Sequence, residues 1–268
     1  MSVLFVTAMY DLYNEVNSKT LPDTEKWSES WLKIDFRLKH LEKLLGCDVD
    51  ILLFVQPSIL PFIKIQHKRL MIVPLGLDNS KTYTKIISKQ LTLPKNRNVV
   101  KDKLEYFALM NAKLDFMVLA KKYYPEFDHY AWIDGSIFKL FKNTSKSQTL
   151  IKSISNKKLP LNIISPFGDK SPLYPIDPIN VDMIFWRFLG SIFIMPAATI
   201  DPFYKISENV IDKLILENKI TWEINIWAIV ETHYKRPFIT YRSNHDDSIL
   251  FLPNNIDSKE YGELNDIG

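Results

Sequence analysis

The sequence predicts an α/β domain in which a mainly parallel, twisted sheet carries helices on both faces. Short, continuously apolar runs, typical of strands covered on both sides, alternate with longer segments whose apolar residues recur every three or four positions, as in helices. The 268 residues contain no visible linker, internal repeat or low-complexity tract. We therefore expect a single domain over residues 1–252, followed by a polar tail at 253–268.

The first half of the chain is predicted to form three strands and two helices. Val3–Met9 is an apolar run rich in β-branched residues with polar positions after it. Residues 28–45 carry an apolar stripe at helical spacing, and Gly46 follows at a position where a left-handed cap is common. The other elements are strands at 49–55 and 70–74 and a long helix at 102–124, which ends before Pro125.

The second half opens with HYAWIDGSIFKLF, residues 129–141, in which a buried strand stops abruptly at Asp134. Further strands are predicted at 161–165, 191–195 and 238–241, and helices at 200–217 and 222–234. Prolines at 166, 172, 175 and 178 argue against regular structure between the first two of these strands. Long loops in compact domains are often functional, so residues 166–180 are a candidate lid or acceptor-binding loop.

Composition and charge exclude several classes of protein. The chain has 34 basic and 31 acidic residues, a net charge of +3, so we expect no nucleic-acid partner. Cys47 is the sole cysteine, which excludes an internal disulfide and favours a buried structural thiol. The first residues lack a basic leader, and the most apolar stretch, 183–200, contains Arg187 and Pro196. We therefore expect a soluble, cytoplasmic protein without a membrane span.

Motifs of several nucleotide-binding enzymes are absent. Neither G-x-G-x-x-G nor G-x-x-x-x-G-K-[ST] occurs, and seven glycines leave little material for a Gly-rich phosphate loop. The sequence also lacks Cys/His metal spacing and the G-x-S-x-G motif. Kinase, P-loop and dinucleotide-binding functions are therefore disfavoured.

Asp134 is the first candidate functional residue, because it ends a strand and precedes the small residues Gly135 and Ser136. Ligands of parallel sheets bind beyond the carboxyl ends of the strands, and Asp11, after the first strand, belongs to the same edge. The Asp134 carboxylate could bind a divalent cation shared with a substrate diphosphate. The alternative is a capping or turn aspartate.

Four further candidates are Glu223, the cluster at 244–247, Asn111 and Lys113. Glu223, in ITWEINIW, could act as a general base or simply favour the first turn of a helix. The cluster at 244–247 includes His245 and could complete a metal or diphosphate site or form a solvated turn. Asn111 falls near an apolar stripe and needs a hydrogen-bond partner if it is buried. Lys113 is expected at the surface unless its helix end faces a ligand.

Five segments together resemble one protein family. LFVTAMYDL, MNAKLDFMVLA, YAWIDGS, FLGSIFIM and ITWEINIWA are similar to the HtrL/YibB-like glycosyltransferase family, which has the GT-A type of nucleotide-sugar-binding fold. The most specific pieces are WIDG at 132–135 and TWEINIW at 221–227. The resemblance implies a nucleotide-sugar donor, most simply UDP-linked, and a glycan, protein or small-molecule hydroxyl as acceptor. The donor-binding residues that it implies are Thr7, Ala8 and Asp11 at the nucleoside, Lys113 at the diphosphate, and Trp132 and Ser136.

The resemblance also implies a metal and a base. Asp134 and Ser136 fall at the Asp-x-Asp position that holds Mn²⁺ or Mg²⁺ against the diphosphate, where the metal acts as a Lewis acid. Glu223 matches the acceptor-side carboxylate, and His245 would be a further metal or diphosphate contact. Two positions depart from the family's pattern. Residue 136 is serine instead of the second acid, and Tyr13 and Asn14 stand where the family has Gly-Arg.

The sequence leaves three functions open. We expect a glycosyltransferase that moves a hexose to a hydroxyl acceptor, metal-assisted at Asp134 and with Glu223 on the acceptor side. A non-catalytic carbohydrate- or protein-binding module is the alternative, because the acidic motif is incomplete. A glycoside hydrolase with Asp134 and Glu223 as its carboxylate pair would need no nucleotide.

Overall fold

A seven-stranded sheet runs through the part of the chain that the structure describes. This computed structural model describes residues 2–13, 33–168, 179–233 and 238–253. The strands are β1 (Val3–Met9), β2 (Ile51–Val55), β3 (Leu70–Pro74), β4 (His129–Ile133), β5 (Ile164–Gly168), β6 (Ile192–Pro196) and β7 (Ile239–Ser243). Their order across the sheet is β3-β2-β1-β4-β6-β5-β7. Among these strands β6 alone runs antiparallel to its neighbours.

Helices cover both faces of this sheet. They are α1 (Ile34–Leu45), α2 (Lys81–Ile87), α3 (Leu104–Asn111), α4 (Lys113–Tyr123), α5 (Thr144–Ser155), α6 (Ala197–Leu216) and α7 (Glu223–His233). Successive side chains of a strand point to opposite faces. Leu4 and Val6 of β1 accordingly pack with α2, α3, α4, α6 and α7, whereas Val3 and Phe5 pack with α1 and α5. The predicted α/β class, with a mainly parallel sheet covered on both faces, is confirmed.

The single helix predicted at 102–124 is wrong, because two helices, α3 and α4, meet at Ala112. The Ala112 N–H is shared between the carbonyls of Ala108 and Leu109, a pattern common at helix ends. Asn111, the last residue of α3, is buried, and its Nδ2 donates to the carbonyls of Phe107 at 2.9 Å and Thr221 at 3.0 Å. The buried Asn111 amide therefore has the hydrogen-bond partners expected of it from the sequence.

The expectation of irregular structure at Pro166 is also wrong, because Pro166 lies inside β5. On the side away from β7, its carbonyl accepts a hydrogen bond from the Leu189 N–H at 2.8 Å. The N–H that proline lacks would point to the same side, so the β5–β7 ladder loses no bond. Residues 169–178 of the predicted loop lie outside the described residues, as do 14–32 and 254–268. The predicted tail and the start of the predicted first helix fall there.

Gly46 follows α1 without the left-handed conformation that is common at this position. Its φ is −76°, and its N–H donates to the carbonyls of Glu42 and Leu44. An alanine could adopt this backbone conformation without strain. The other predicted elements differ from the observed ones by a few residues at their ends. No helix within the described ranges is long and apolar enough to cross a membrane.

Candidate functional site

The carboxyl ends of β1 and β4 meet at one edge of the sheet, because these strands are adjacent and parallel. β2 lies on the other side of β1, so the strand order changes direction between β1 and β4. Open α/β sheets bind small ligands at such a switch point. A cavity of about 420 Å³ lies there, within the size range of small-molecule sites. Ala8 and Met9 from β1 and Trp132 and Asp134 from the end of β4 line it.

The other residues that line the cavity are of two chemical kinds. The apolar and aromatic ones are Leu12, Tyr13, Val100, Tyr106, Leu109 and Met110. The others, three of them cationic, are Arg37, Asn98, Lys101, Gly135, Ser136 and Lys139. This combination suits a ligand that has a flat apolar part and an anionic part.

Asp134 faces the cavity with its side chain 34% exposed. Its Oδ1 accepts a hydrogen bond from Trp132 Nε1 at 2.8 Å and lies 3.1 Å from Lys113 Nζ. A short 3₁₀ turn, Ile137–Leu140, follows, but no side chain caps it. The Asp134 side chain therefore caps no helix and lines the cavity. The turn part of the alternative holds for the backbone, because the Asp134 carbonyl accepts the Ile137 N–H at 2.9 Å.

Lys113, the first residue of α4, is fully buried, and the expectation of a surface lysine is wrong. Its Nζ donates to Glu223 Oε1 at 2.8 Å and to the Gly190 carbonyl at 2.7 Å, besides its ion pair with Asp134. Burial disfavours the charged ammonium, but Asp134 and Glu223 outweigh it and hold the pKa of Lys113 above its usual value. Lys113 is thus a buried cation that joins two carboxylates.

Glu223, the first residue of α7, is 6% exposed and is not one of the residues that line the cavity. Asp134 and Glu223 both contact the same ammonium of Lys113, which occupies the space between them. A pair of glycosidase carboxylates flanks the scissile bond instead. The arrangement therefore does not fit a glycoside hydrolase that uses these two acids.

Two residues predicted for the nucleoside pocket lie beside the cavity and do not line it. Thr7 is fully buried within β1, one position before Ala8. Asp11 is also buried, and its backbone N–H donates to Gln56 Oε1 at 2.8 Å. Ala8, Trp132 and Ser136, by contrast, do line the cavity, together with Asp134. Roles for these residues in donor binding remain predictions.

His245 lies in a turn after β7. Its ring packs edge-on against Trp186, with the ring centroids 4.9 Å apart. Burial lowers the pKa of His245, and nearby Asp246 opposes that shift. Asp246 Oδ1 accepts the Ser248 N–H at 2.9 Å, which is the bond expected of a turn aspartate. The described contacts of this cluster are those of a turn, and a ligand role for His245 remains a prediction.

The described residues offer few protein ligands to a divalent cation at Asp134. Asp134 Oδ1 already contacts Trp132 Nε1 and Lys113 Nζ, and the buried ammonium repels a second cation. Mn²⁺ and Mg²⁺ require several oxygen or nitrogen ligands. Within the described ranges no three His, Cys, Asp or Glu side chains come together as such a group. The geometry therefore gives no support to the Mn²⁺ or Mg²⁺ site expected at Asp134 and His245.

Arg37, Lys101 and Lys139, the cationic side chains of the cavity, were not among the residues predicted from the sequence. One signal was present, because Lys139 lies between apolar residues in the same stretch that contains Asp134. Arg37 and Lys101 carry no comparable signal, since they are distant in sequence from each other and from Lys139. The fold brings the three to one cavity.

Gly190→Ala is expected to lower the free energy of unfolding by about 1–3 kcal/mol, a typical cost of overpacking. A Cβ at this position would overlap Glu223 Oε1 and lie 3.0 Å from Ile224 Cγ2, and Lys113 restrains that carboxylate. The matched control is Gly46→Ala, whose new Cβ would have its nearest atom at 3.4 Å. This control should be neutral or slightly stabilising, because alanine restricts the unfolded chain. Urea unfolding measures the stability of both variants. Equal free energies of unfolding for Gly190→Ala and Gly46→Ala would contradict the tight packing around Glu223.

The fold and the site together define an α/β protein with a ligand cavity at the switch point of its sheet. No protein-family model and no curated protein matches this chain. A similar solved structure is described as the crystal structure of 4-diphosphocytidyl-2C-methyl-D-erythritolsynthase from Anaerococcus prevotii DSM 20548. The two structures superpose with a TM-score of 0.40, and the sequences are 8% identical. The match covers 98% of this chain and 94% of the other. A similarity this slight supports no argument about function, and membership of the HtrL/YibB-like family is not shown and stays a prediction.

Proposed function

We propose that the protein is a nucleotide-sugar-dependent glycosyltransferase of the GT-A type, which moves a hexose from a UDP-linked donor to a hydroxyl acceptor. The observation that carries this proposal is Asp134, which faces the cavity at the switch point and is joined through Lys113 to Glu223. Buried charge networks in clefts are common at functional sites. The short resemblances around Asp134 and Glu223 support the same function.

The aromatic and the cationic residues of the cavity suit the nucleobase and the diphosphate of such a donor. Tyr13 and Tyr106 offer aromatic surfaces for a nucleobase, which stacks readily on aromatic rings. The ring of Trp132 is buried and stacks with Phe116 and Phe193 instead. The cationic side chains offer partners for a diphosphate, whose negative charge increases as the sugar leaves. Binding both parts in one cavity would hold the reacting sugar near Asp134.

The chemistry assigns different roles to the two carboxylates. Asp134 is the one carboxylate among the described residues that line the cavity, so it is the candidate to accept a proton from the attacking hydroxyl. Glu223 is too buried to contact an acceptor in this arrangement. We assign Glu223 a positioning role, in which it holds the Lys113 ammonium against Asp134.

A non-catalytic carbohydrate- or protein-binding module is the second candidate. The observation that favours it is the same burial of Glu223, because it removes the predicted acceptor-side base from the cavity. A binding module would hold a ligand without breaking any bond.

Release of free UDP from UDP-hexoses distinguishes these candidates. The protein is incubated with a panel of UDP-hexoses, alone and with hydroxyl acceptors, and UDP is measured against protein-free samples. The glycosyltransferase proposal predicts UDP release above the uncatalysed rate for at least one donor. Binding of a donor without any release of UDP would instead establish the binding module.

A further inference from the structure

Three cations from separate parts of the chain converge on the cavity. Arg37 lies on α1, Lys101 precedes α3, and Lys139 lies in the turn after β4. Two of these side chains also contact other groups of the protein. Arg37 Nη1 donates to the Tyr10 carbonyl at 2.9 Å, and Lys101 Nζ pairs with Asp102 at 2.6 Å.

These cations are close enough to influence one another. Lys139 is an exposed residue, but partial desolvation by the surrounding protein lowers its pKa. Asp134 opposes this shift in the pKa, and Arg37, Lys101 and Lys113 add to it. The part of this pKa shift that Arg37, Lys101 and Lys113 cause reflects repulsion between like charges. An anion in the cavity would relieve this repulsion, whereas a divalent cation would increase it.

We propose that Arg37, Lys101 and Lys139 bind the diphosphate of the donor directly, so that donor binding requires no divalent cation. This inference rests on the proposed function, because the diphosphate belongs to the nucleotide sugar. Guanidinium and ammonium groups form charge-assisted hydrogen bonds with phosphate oxygens. They would supply the positive charge that the resemblance assigns to Mn²⁺ or Mg²⁺. Oδ1 of Asp134, the carboxylate of the described lining, already contacts Trp132 Nε1 and the Lys113 ammonium.

Calorimetric titration of the whole chain tests this inference with three samples. UDP is titrated in EDTA, UDP is titrated with Mn²⁺, and uridine, which lacks the diphosphate, is titrated in EDTA. We expect UDP to bind in EDTA with an affinity within about threefold of that with Mn²⁺, a difference of less than 1 kcal/mol. Uridine is expected to bind at least about tenfold more weakly than UDP, because it makes no charge-assisted bonds.

Variants of the cavity wall identify the groups that bind the diphosphate. Lys139→Met should weaken UDP binding about tenfold or more in EDTA and leave the weaker binding of uridine unchanged. Arg37→Met provides an independent second variant with the same expectation. Lys121→Met is the matched control, because Lys121 pairs with Asp201 on the protein surface, and it should bind UDP as the wild type does.

The outcomes separate this inference from the proposed function. Binding of UDP with Mn²⁺ but not in EDTA would overturn the metal-free inference and leave the proposed function standing. Wild-type affinity of both Lys139→Met and Arg37→Met in EDTA would also overturn it. Absence of UDP binding under every condition would remove the proposed UDP-dependent function as well.

Discussion

Lys113→Met is expected to lower the free energy of unfolding by about 3–5 kcal/mol, the usual cost of removing one partner from a buried ion pair. The Lys113 ammonium is fully buried and satisfies Asp134, Glu223 and the Gly190 carbonyl at the same time. Methionine fills a similar volume but provides no charge, so the Glu223 carboxylate would remain buried without its cation. Urea unfolding followed by circular dichroism measures the loss.

Two further variants distinguish the loss of charge pairing from a general effect of the substitution. Lys121→Met removes a lysine from the same helix whose pair with Asp201 is partly exposed, and should cost less than about 1 kcal/mol. Adding Glu223→Gln to Lys113→Met should recover part of the loss, because it removes the uncompensated carboxylate. A Lys113→Met protein within about 1 kcal/mol of the wild type would contradict the charge network derived from the structure.

Asp134→Asn is expected to slow UDP release from a UDP-hexose by about a hundredfold or more, in the range that positioned acid–base groups contribute. Asparagine keeps the shape of the side chain but cannot accept a proton or pair with the Lys113 ammonium. The stability loss should be smaller than for Lys113→Met, because Asp134 is partly exposed and Lys113 retains Glu223. The rate and the unfolding free energy are measured on the same preparation.

Asp201→Asn is the matched control for this prediction. Asp201 lies on α6, where its largely exposed carboxylate pairs with Lys121 away from the described cavity. Its UDP release should equal that of the wild type. If Asp134→Asn kept a rate within about threefold of that control, Asp134 would have no catalytic role.

The sequence predicts the α/β fold well because its signals are local. The bounds of β1 and β3 match the predicted runs, since continuous apolar segments between polar residues show where a buried strand starts and ends. The antiparallel direction of β6 has no local signal, because it depends on how the chain crosses the sheet. The break at Ala112 is equally hidden, since the apolar stripe continues from α3 into α4.

The candidate site is less predictable, because its residues acquire their properties from tertiary contacts. Asp134 is visible in the sequence as a polar residue that ends a buried strand. Lys113 resembles an ordinary helix lysine, and such residues are rarely buried unless they are paired. Its burial depends on Asp134, which follows β4, and on Glu223, which begins α7. Arg37 on α1 and Lys139 in the turn after β4 likewise come together only when these parts of the chain have packed around one cavity.

A crystal structure of the protein soaked with UDP tests the central claim most directly, at a concentration where calorimetry shows saturation. We expect UDP in the cavity at the carboxyl ends of β1 and β4. Its diphosphate should lie within hydrogen-bond distance of Arg37, Lys101 or Lys139, and its uracil should lie against Tyr13 or Tyr106. UDP bound elsewhere on the protein, with this cavity vacant, would contradict the assignment of the donor site.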